Sequence, residues 1–292
     1  MEFISSAQNP KIKRLLALQE KSRLRREEGI FVVEGRREVE RCLGAGFIPE
    51  ALFICPELAG SADTLPVPSA GGTGKTKVFE VSREVYEKVA YRGGTEGIIA
   101  EVRSRSMTLS DLPRRRALNE GTGAGGRAVQ NERTGAGGRA GAAPLYIVLE
   151  GVEKPGNLGA VLRSADAAGA DAVIVCDPLT DIWNPNLIRA SLGAVFTVPI
   201  AICNSAEAIS WLREQGCRIL TAQLQDSTLY YDQDMTGATA IVIGTESTGL
   251  SDRWRQAASA HIRIPMLGVM DSLNASISAA ILLFEARRQR GV

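Results

Sequence analysis

Residues 241–284 read IVIGTESTGLSDRWRQAASAHIRIPMLGVMDSLNASISAAILLF, and their pattern decides the fold class. Two short apolar strands each stop at a loop too rich in Gly, Ser, Thr and Asn to be a mere turn. The first loop is Gly244-Thr245-Glu246-Ser247-Thr248-Gly249-Leu250. The second runs from Pro265 to Asn274 and leads into Ser272-Leu273-Asn274-Ala275-Ser276. Ligands of open α/β sheets sit where strands end and loops begin. Two polar loops after consecutive buried strands therefore predict one shared pocket.

Working outward, strand candidates are 145–149 (LYIVL), 172–176 (AVIVC), 195–200 (VFTVPI), 218–222 (RILTA), 239–243 (TAIVI) and 261–264 (HIRI). Helices are expected at 157–168, 185–192, 205–215, 251–258 and about 274–289. Near-continuous apolar strands with helical crossovers argue for a parallel sheet covered on both faces. In the last helix Ile277, Ala280, Ile281, Leu282, Leu283 and Phe284 point in nearly all directions. That leaves two readings, a homodimer interface or a well-covered monomer core. The first strand runs into Glu150-Gly151-Val152-Glu153-Lys154-Pro155-Gly156-Asn157-Leu158-Gly159. Asn157 is an N-cap by type, and Leu158, Val161, Leu162, Ala165 and Ala168 define a buried stripe. Arg163 falls off that stripe near the helix N-terminus. There it opposes the macrodipole, a mild cost that an anionic partner would offset. By itself it reads as a surface arginine.

The first hundred residues alternate strands and helices, the mark of a small α/β domain. Residues 8–28 read as one helix, with Ile12, Leu15, Leu16 and Leu18 on an apolar stripe. Its basic face carries Lys11, Lys13, Arg14, Lys21, Arg23, Arg25 and Arg26. Strand Ile30–Glu34, helix Arg36–Leu43, strands Ala51–Cys55 and Val78–Val81, a helix capped by Ser82, and strand Gly97–Val102 follow. Gly71-Gly72-Thr73-Gly74-Lys75-Thr76 imitates a P-loop, but Ser69 stands where Gly is required and no apolar strand precedes it. Residues 106–143 carry TGAGGRA twice and satisfy G-x-G-x-x-G at Gly121, Gly123 and Gly126. Neither flanking strand nor apolar helix accompanies that pattern, so the stretch is read as a flexible, cationic linker. With 45% hydrophobic and 23% charged residues, the 292-residue chain has the balance of a soluble globular protein. A net charge of +1 leaves any nucleic-acid affinity to local patches. The five cysteines form no C-x-x-C pair and suit buried thiols in a reducing cytoplasm rather than disulfides or zinc. With no apolar signal core or bilayer-length run, a cytoplasmic protein is expected.

Three ordered segments carry a family resemblance: PGNLGAVLRSADAAGADAVIV, IVIGTESTGLSD and IPMLGVMDSLNASISAA. They resemble the motifs of the SpoU (TrmH-type) RNA 2′-O-ribose methyltransferases of the SPOUT superfamily, over about residues 144–292. FVVEGRREVERCLGAG, ALFIC, VSREVYEKVA and GIIAEV are similar to that family's ribosomal-protein-like, RNA-holding domain. The resemblance implies three parts: an RNA substrate-binding domain at 1–105, the linker at 106–143, and a catalytic domain at 144–292 with a C-terminal trefoil knot. It further implies a homodimer and S-adenosylmethionine as methyl donor, released as S-adenosylhomocysteine. Cofactor contacts would fall at Gly244, Gly249, Ile264 and Leu273, with Leu220, Thr221 and Ala222 adding to them. Arg163 would be the central catalytic residue, with Asn157, Glu246, Ser272 and Asn274 around it. Lys11, Lys13, Arg14, Arg23, Arg25 and Arg26 would contact RNA phosphates, and no metal is implied. Ala275 and Lys154 depart from the family's usual valine and acidic residue without removing a polar group from the pocket. The substrate would be structured RNA, with ribosomal favoured over transfer RNA by the separate basic domain. A non-catalytic RNA-binding protein of the same fold and base rather than ribose methylation stay open as alternatives.

Overall fold

A computed structural model of the chain describes residues 2–60, 76–91, 96–112, 143–245 and 248–291. The P-loop imitation at Gly71–Lys75, linker residues 113–142 and Glu246 lie outside the described residues. The chain falls into two compact units. The first gathers Met1–Met107, Val152–Arg163 and Pro178–Thr197. The second gathers Thr108–Gly151, Ser164–Asp177 and Val198–Val292.

The N-terminal part of the first unit contains β1 (Glu2–Ile4), α1 (Pro10–Glu20), α2 (Ser22–Glu28), β2 (Ile30–Glu34) and α3 (Arg36–Gly44). Then come β3 (Pro49–Ile54), α4 (Pro56–Ala59), β4 (Lys77–Val81), α5 (Arg83–Val89) and β5 (Ile98–Arg103). The sheet order is β1-β4-β3-β5-β2, with β5 antiparallel to both its neighbours. Ile12, Leu15 and Leu18 of α1 are buried with Phe53, Phe79 and Tyr86 in one apolar cluster. Burying a side chain of that size stabilises the fold by about 1.5–3 kcal/mol.

The helix expected over 8–28 is two helices. Asn9 caps α1 by accepting from the Lys11 N–H at 2.9 Å, with Pro10 at the first helical position. Lys21 then turns extended (φ −103°, ψ 104°). The break has a tertiary cause. Arg25 of α2 turns inward, where its guanidinium donates to the Leu18 and Gln19 carbonyls at 2.6 and 2.9 Å. These belong to the last turn of α1, where carbonyls lack helical partners. The same guanidinium meets the Asp181 carboxylate at 2.6 Å, with both side chains at least nine-tenths buried. Arg25 therefore leaves the expected RNA-binding surface. Removing one partner of a buried pair strands the other charge. Arg25→Ala is expected to cost about 3 kcal/mol of stability, against less than about 0.5 kcal/mol for exposed Arg26→Ala. Urea denaturation of the two variants checks this.

The remaining elements are β6 (Leu145–Glu150), α6 (Pro155–Ala167), β7 (Ala172–Cys176), α7 (Pro185–Ala190), α8 (Ala194–Thr197) and β8 (Ile200–Cys203). They continue with α9 (Ser205–Glu214), β9 (Arg218–Ala222), β10 (Thr228–Leu229), β11 (Thr239–Ile243), α10 (Asp252–Ala257), β12 (Ala260–Arg263) and α11 (Ala275–Gln289). Segment 195–200 is not a strand. Its first half is helical, and within the first unit Phe196 packs with Phe31, Phe47 and Trp183, the Phe31–Trp183 rings stacking at 4.1 Å. Pro199 has no N–H for a ladder, and β8 begins after it.

The second unit is built on a fully parallel sheet of order β10-β12-β9-β11-β6-β7-β8. Tyr146, Val148, Ile174, Trp211, Val242 and Trp254 share its core. Apolar side chains on both sides of the central strands match their near-continuous hydrophobic sequences. The last helix buries one face only: Ala279, Leu282, Leu283 and Ala286 are inside, while Ile277 and Phe284 are each 51% exposed.

Candidate functional site at the carboxyl ends of β9, β11 and β12

The buried strand β11 delivers the chain to Gly244. A Cβ there would lie 2.3 Å from the carbonyl carbon and oxygen of Gly249 and 2.6 Å from the Leu250 nitrogen, all backbone atoms. Thr245 and Gly249 exchange both backbone hydrogen bonds, at 3.2 and 3.1 Å, which folds the loop back on itself. Gly249 closes it with φ +68°, in the left-handed region that favours glycine. The Thr248 N–H donates to Thr245 Oγ1 at 3.0 Å. Gly244 is thus required by close backbone approach and Gly249 by its dihedral.

The second loop leaves β12 at Ile264 and runs to Asn274, which caps α11. Asn274 Oδ1 accepts from the Ser276 N–H at 2.9 Å and the Ser276 hydroxyl at 2.6 Å. Between these points Leu267, Val269 and Met270 stand in solvent, at 75% exposure or more. The two loops and the end of β9 enclose a cavity of about 420 Å³, within the usual size of small-molecule clefts.

The cavity brings together Gly244, Gly249, Ile264, Leu273, Ser272 and Ala222 of the expected site residues. It leaves out Leu220 and Thr221, which are fully buried inside β9. Thr221 spends its hydroxyl on His261 Nδ1 at 2.6 Å, so the single histidine has a structural partner. Asn157 is not the N-cap of α6. The Lys154 carbonyl accepts from Asn157 N–H and Leu158 N–H, placing Asn157 third in a helix that Pro155 begins. Arg163 is exposed on α6, and the stripe Leu158, Val161, Leu162 and Ala165 is buried as expected.

The cavity also has walls the sequence reading missed, Gln223 and Arg255 among them. Gln223 Oε1 and Arg255 Nε are buried without a hydrogen-bond partner. Such atoms are uncommon in folded proteins and point to a missing polar partner. Gln223 follows β9 directly, so the rule that ligands meet strand ends reaches it. Arg255 sits on α10, where only tertiary packing brings it to the cleft.

The basic face of the first unit is less cationic than its sequence. Lys11 pairs with Glu2 at 2.6 Å, Arg23 with Glu27 at 2.6 Å, and Arg14 with Glu28 and Glu101. Lys13 and Arg26 are exposed. Surface pairs are worth little, so Lys11 and Arg23 still offer charge to an anion at small cost, whereas Arg14 is held by the buried Glu101 carboxylate.

An open parallel α/β unit with a ligand-sized cleft at its strand ends is the class of protein these features define. The chain belongs to the SpoU rRNA Methylase family, which matches residues 144–284, and residues 9–100 match the MRM3-like substrate binding domain. It is 33% identical over 215 residues to a 23S rRNA (guanosine-2′-O-)-methyltransferase RlmB of Vibrio parahaemolyticus, covering 73% of this chain and 78% of that one. The RlmB of Pseudomonas syringae pv. tomato is 39% identical over 148 residues, 50% of this chain and 59% of its own length. The chain thus matches about three fifths of that relative. The crystal structure of an AdoMet-bound rRNA methyltransferase from Sinorhizobium meliloti superimposes with a TM-score of 0.81 at 28% identity, covering 98% of this chain and 97% of the other.

Proposed function

We propose that the protein transfers a methyl group from S-adenosylmethionine to the ribose 2′-hydroxyl of a nucleotide in structured RNA, ribosomal RNA being favoured. The observation that carries this reading is the cleft at the ends of β9, β11 and β12. It is walled by the two glycine- and serine-rich loops and holds the unpartnered Gln223 Oε1 and Arg255 Nε. Its size and its mix of backbone and polar lining fit a nucleoside with a charged tail. The RlmB relatives and the AdoMet-bound neighbour support the same chemistry.

S-adenosylmethionine, when bound, would supply an electrophilic methyl carbon to the ribose oxygen, leaving as S-adenosylhomocysteine while the hydroxyl proton passes to solvent. This chain's residues hold the partners aligned, which can supply much of the acceleration. Backbone groups of Gly244, Gly249, Ile264 and Leu273 line the donor side, with Ser272 beside them. A guanidinium holds its proton firmly and is a poor proton acceptor. Arg163 therefore orients the RNA phosphate and ribose and stabilises the developing alkoxide, with Asn157, Glu246 and Asn274 as its polar company. Residues 1–105, with the basic α1–α2 face, hold the RNA and connect through 106–143 to the catalytic domain at 144–292, which carries the knotted C-terminal segment.

The reading includes a homodimer. Ile277 and Phe284 lie seven residues apart on the uncovered face of α11, and Leu267, Val269 and Met270 are solvent-facing. An apolar face of that kind marks an interface. Sedimentation velocity should give twice the chain mass, with F284E shifting it towards the monomer.

The experiment for the activity incubates the protein with radiolabelled S-adenosylmethionine and deproteinised ribosomal or transfer RNA. Label in ribosomal RNA, with the adjoining phosphodiester resistant to alkali, is the expected result. Label that leaves the phosphodiester alkali-labile would instead mean base methylation, and donor binding without transfer would mean a non-catalytic binder.

A further inference from the structure

The loop that closes the cleft is held at both ends by two consecutive residues at the end of β6, Glu150 and Gly151. At the entrance, a Cβ on Gly151 would lie 2.9 Å from Thr245 Cγ2, and Gly151 itself has φ +64°. The loop therefore rests directly on the glycine backbone. At the exit, the Glu150 carboxylate takes both donors of Ser251: the backbone N–H at 2.8 Å on Oε2 and the hydroxyl at 2.6 Å on Oε1. Ser251 is the N-cap of α10, yet its side chain caps nothing. A serine there ordinarily accepts from the first turn of its helix. Here the hydroxyl donates to Glu150 instead, so a tether has replaced the cap.

Behind the tether the carboxylate is itself held. Ser205 Oγ lies 3.2 Å from Glu150 Oε1 and 2.6 Å from Asp177 Oδ2, and it accepts from buried Trp254 Nε1 at 3.0 Å. Its single proton favours the shorter contact, to Asp177. Asp177 also accepts the Ser205 N–H at 3.0 Å. Trp254 belongs to α10, so the helix is fastened twice, through Ser251 to β6 and through Trp254 to the start of α9. Glu150 does not line the cleft. It acts through Ser251 on the backbone that does.

We propose that Glu150 is a positioning residue that fixes the exit of the Gly244–Leu250 loop and so sets the affinity of the cleft for the sulfonium nucleoside. This rests on the cleft being the donor site. Because Gly244, Thr245, Thr248, Gly249 and Leu250 line one wall of the cleft, its affinity depends on how rigidly that wall is preorganised. Charge-assisted hydrogen bonds to a carboxylate are the strong ones, and Glu150→Ala removes two of them at one hinge.

The test uses the full chain and the variants Glu150→Ala, Glu150→Gln and Ser251→Ala. S-adenosylmethionine binding is read by calorimetry, and amide exchange across 244–251 is read without any donor present. Glu150→Ala is expected to weaken donor binding roughly tenfold, from the loss of charged hydrogen bonds, and to speed exchange in the loop. The KM for the donor should rise more than kcat falls. Glu150→Gln keeps the reach and one acceptor and should recover most of the affinity. Ser251→Ala removes only a hydroxyl and should lose about threefold, by the weaker end of the same scale. If Glu150→Ala does not fold, Ser251→Ala decides. Wild-type affinity and wild-type exchange in the folded variants would overturn the tether. Should the unaltered protein bind no S-adenosylmethionine, the donor-site reading fails instead, while loop exchange still judges the anchoring alone.

Discussion

Arg163→Ala should lose methyl transfer by about a hundred- to a thousandfold, the scale seen when one preorganised group facing developing charge is removed. Its affinity for S-adenosylmethionine should stay close to that of the unaltered protein. The split follows from where the side chain sits. Arg163 is exposed on α6, off the buried stripe formed by Leu158, Val161, Leu162 and Ala165, so truncation leaves no cavity. The cleft proposed for the donor lies at the ends of β9, β11 and β12 and does not include Arg163 among its walls. Arg163 stands beyond the midpoint of α6 (Pro155–Ala167), exposed, where no packing role accounts for it. An exposed guanidinium is free to meet an anion with charge-assisted, bidentate hydrogen bonds. Lysine at this position should restore little, because a point charge cannot reproduce two parallel hydrogen bonds. Single-turnover rates at saturating donor, set beside calorimetric donor affinity, make the comparison. An alanine variant with unchanged rate would falsify the role given to Arg163.

Gly244→Ala should weaken donor binding at least tenfold and disorder the first loop without unfolding the chain. A Cβ at 2.3 Å from a carbonyl carbon and oxygen is far inside contact distance, and the atoms it meets are Gly249 main chain. No side chain can swing away. The loop must open, and opening breaks the paired Thr245–Gly249 hydrogen bonds. The effect should stay local because β11 is held on both sides, by β6 and by β9. Gly249→Ala tests the other constraint. Nothing lies within 4 Å of its added methyl, so its cost is only that of a left-handed residue at φ +68°, about 1 kcal/mol. Donor affinity and thermal unfolding of the two variants should therefore rank Gly244 well ahead of Gly249.

Much of this protein was legible in local sequence. The strands at 172–176, 218–222 and 239–243 have the bounds expected of them, since a short apolar run buried within a sheet marks its own limits. The loops after β11 and β12 announced themselves by composition and by order in the chain, and the cleft lies between them. What the chain order could not carry was pairing over distance. Arg25 reads as one cation in a basic run until Asp181, 156 residues away, takes it into the interior. Arg14 is offset by Glu101, 87 residues away, and Lys11 by Glu2, on the strand that precedes its helix. Phe196 lies in a run with strand composition but is helical, because an aromatic cluster with Phe31, Phe47 and Trp183 outbids a weak local preference. Glu150 and Ser251, 101 residues apart, each look like ordinary polar residues at an element's end. Periodicity and glycine placement act within a few residues, so the linear code specifies elements and loops. Charge neutralisation and the bracing of a loop need groups brought together by the sheet order, and those only the folded molecule supplies.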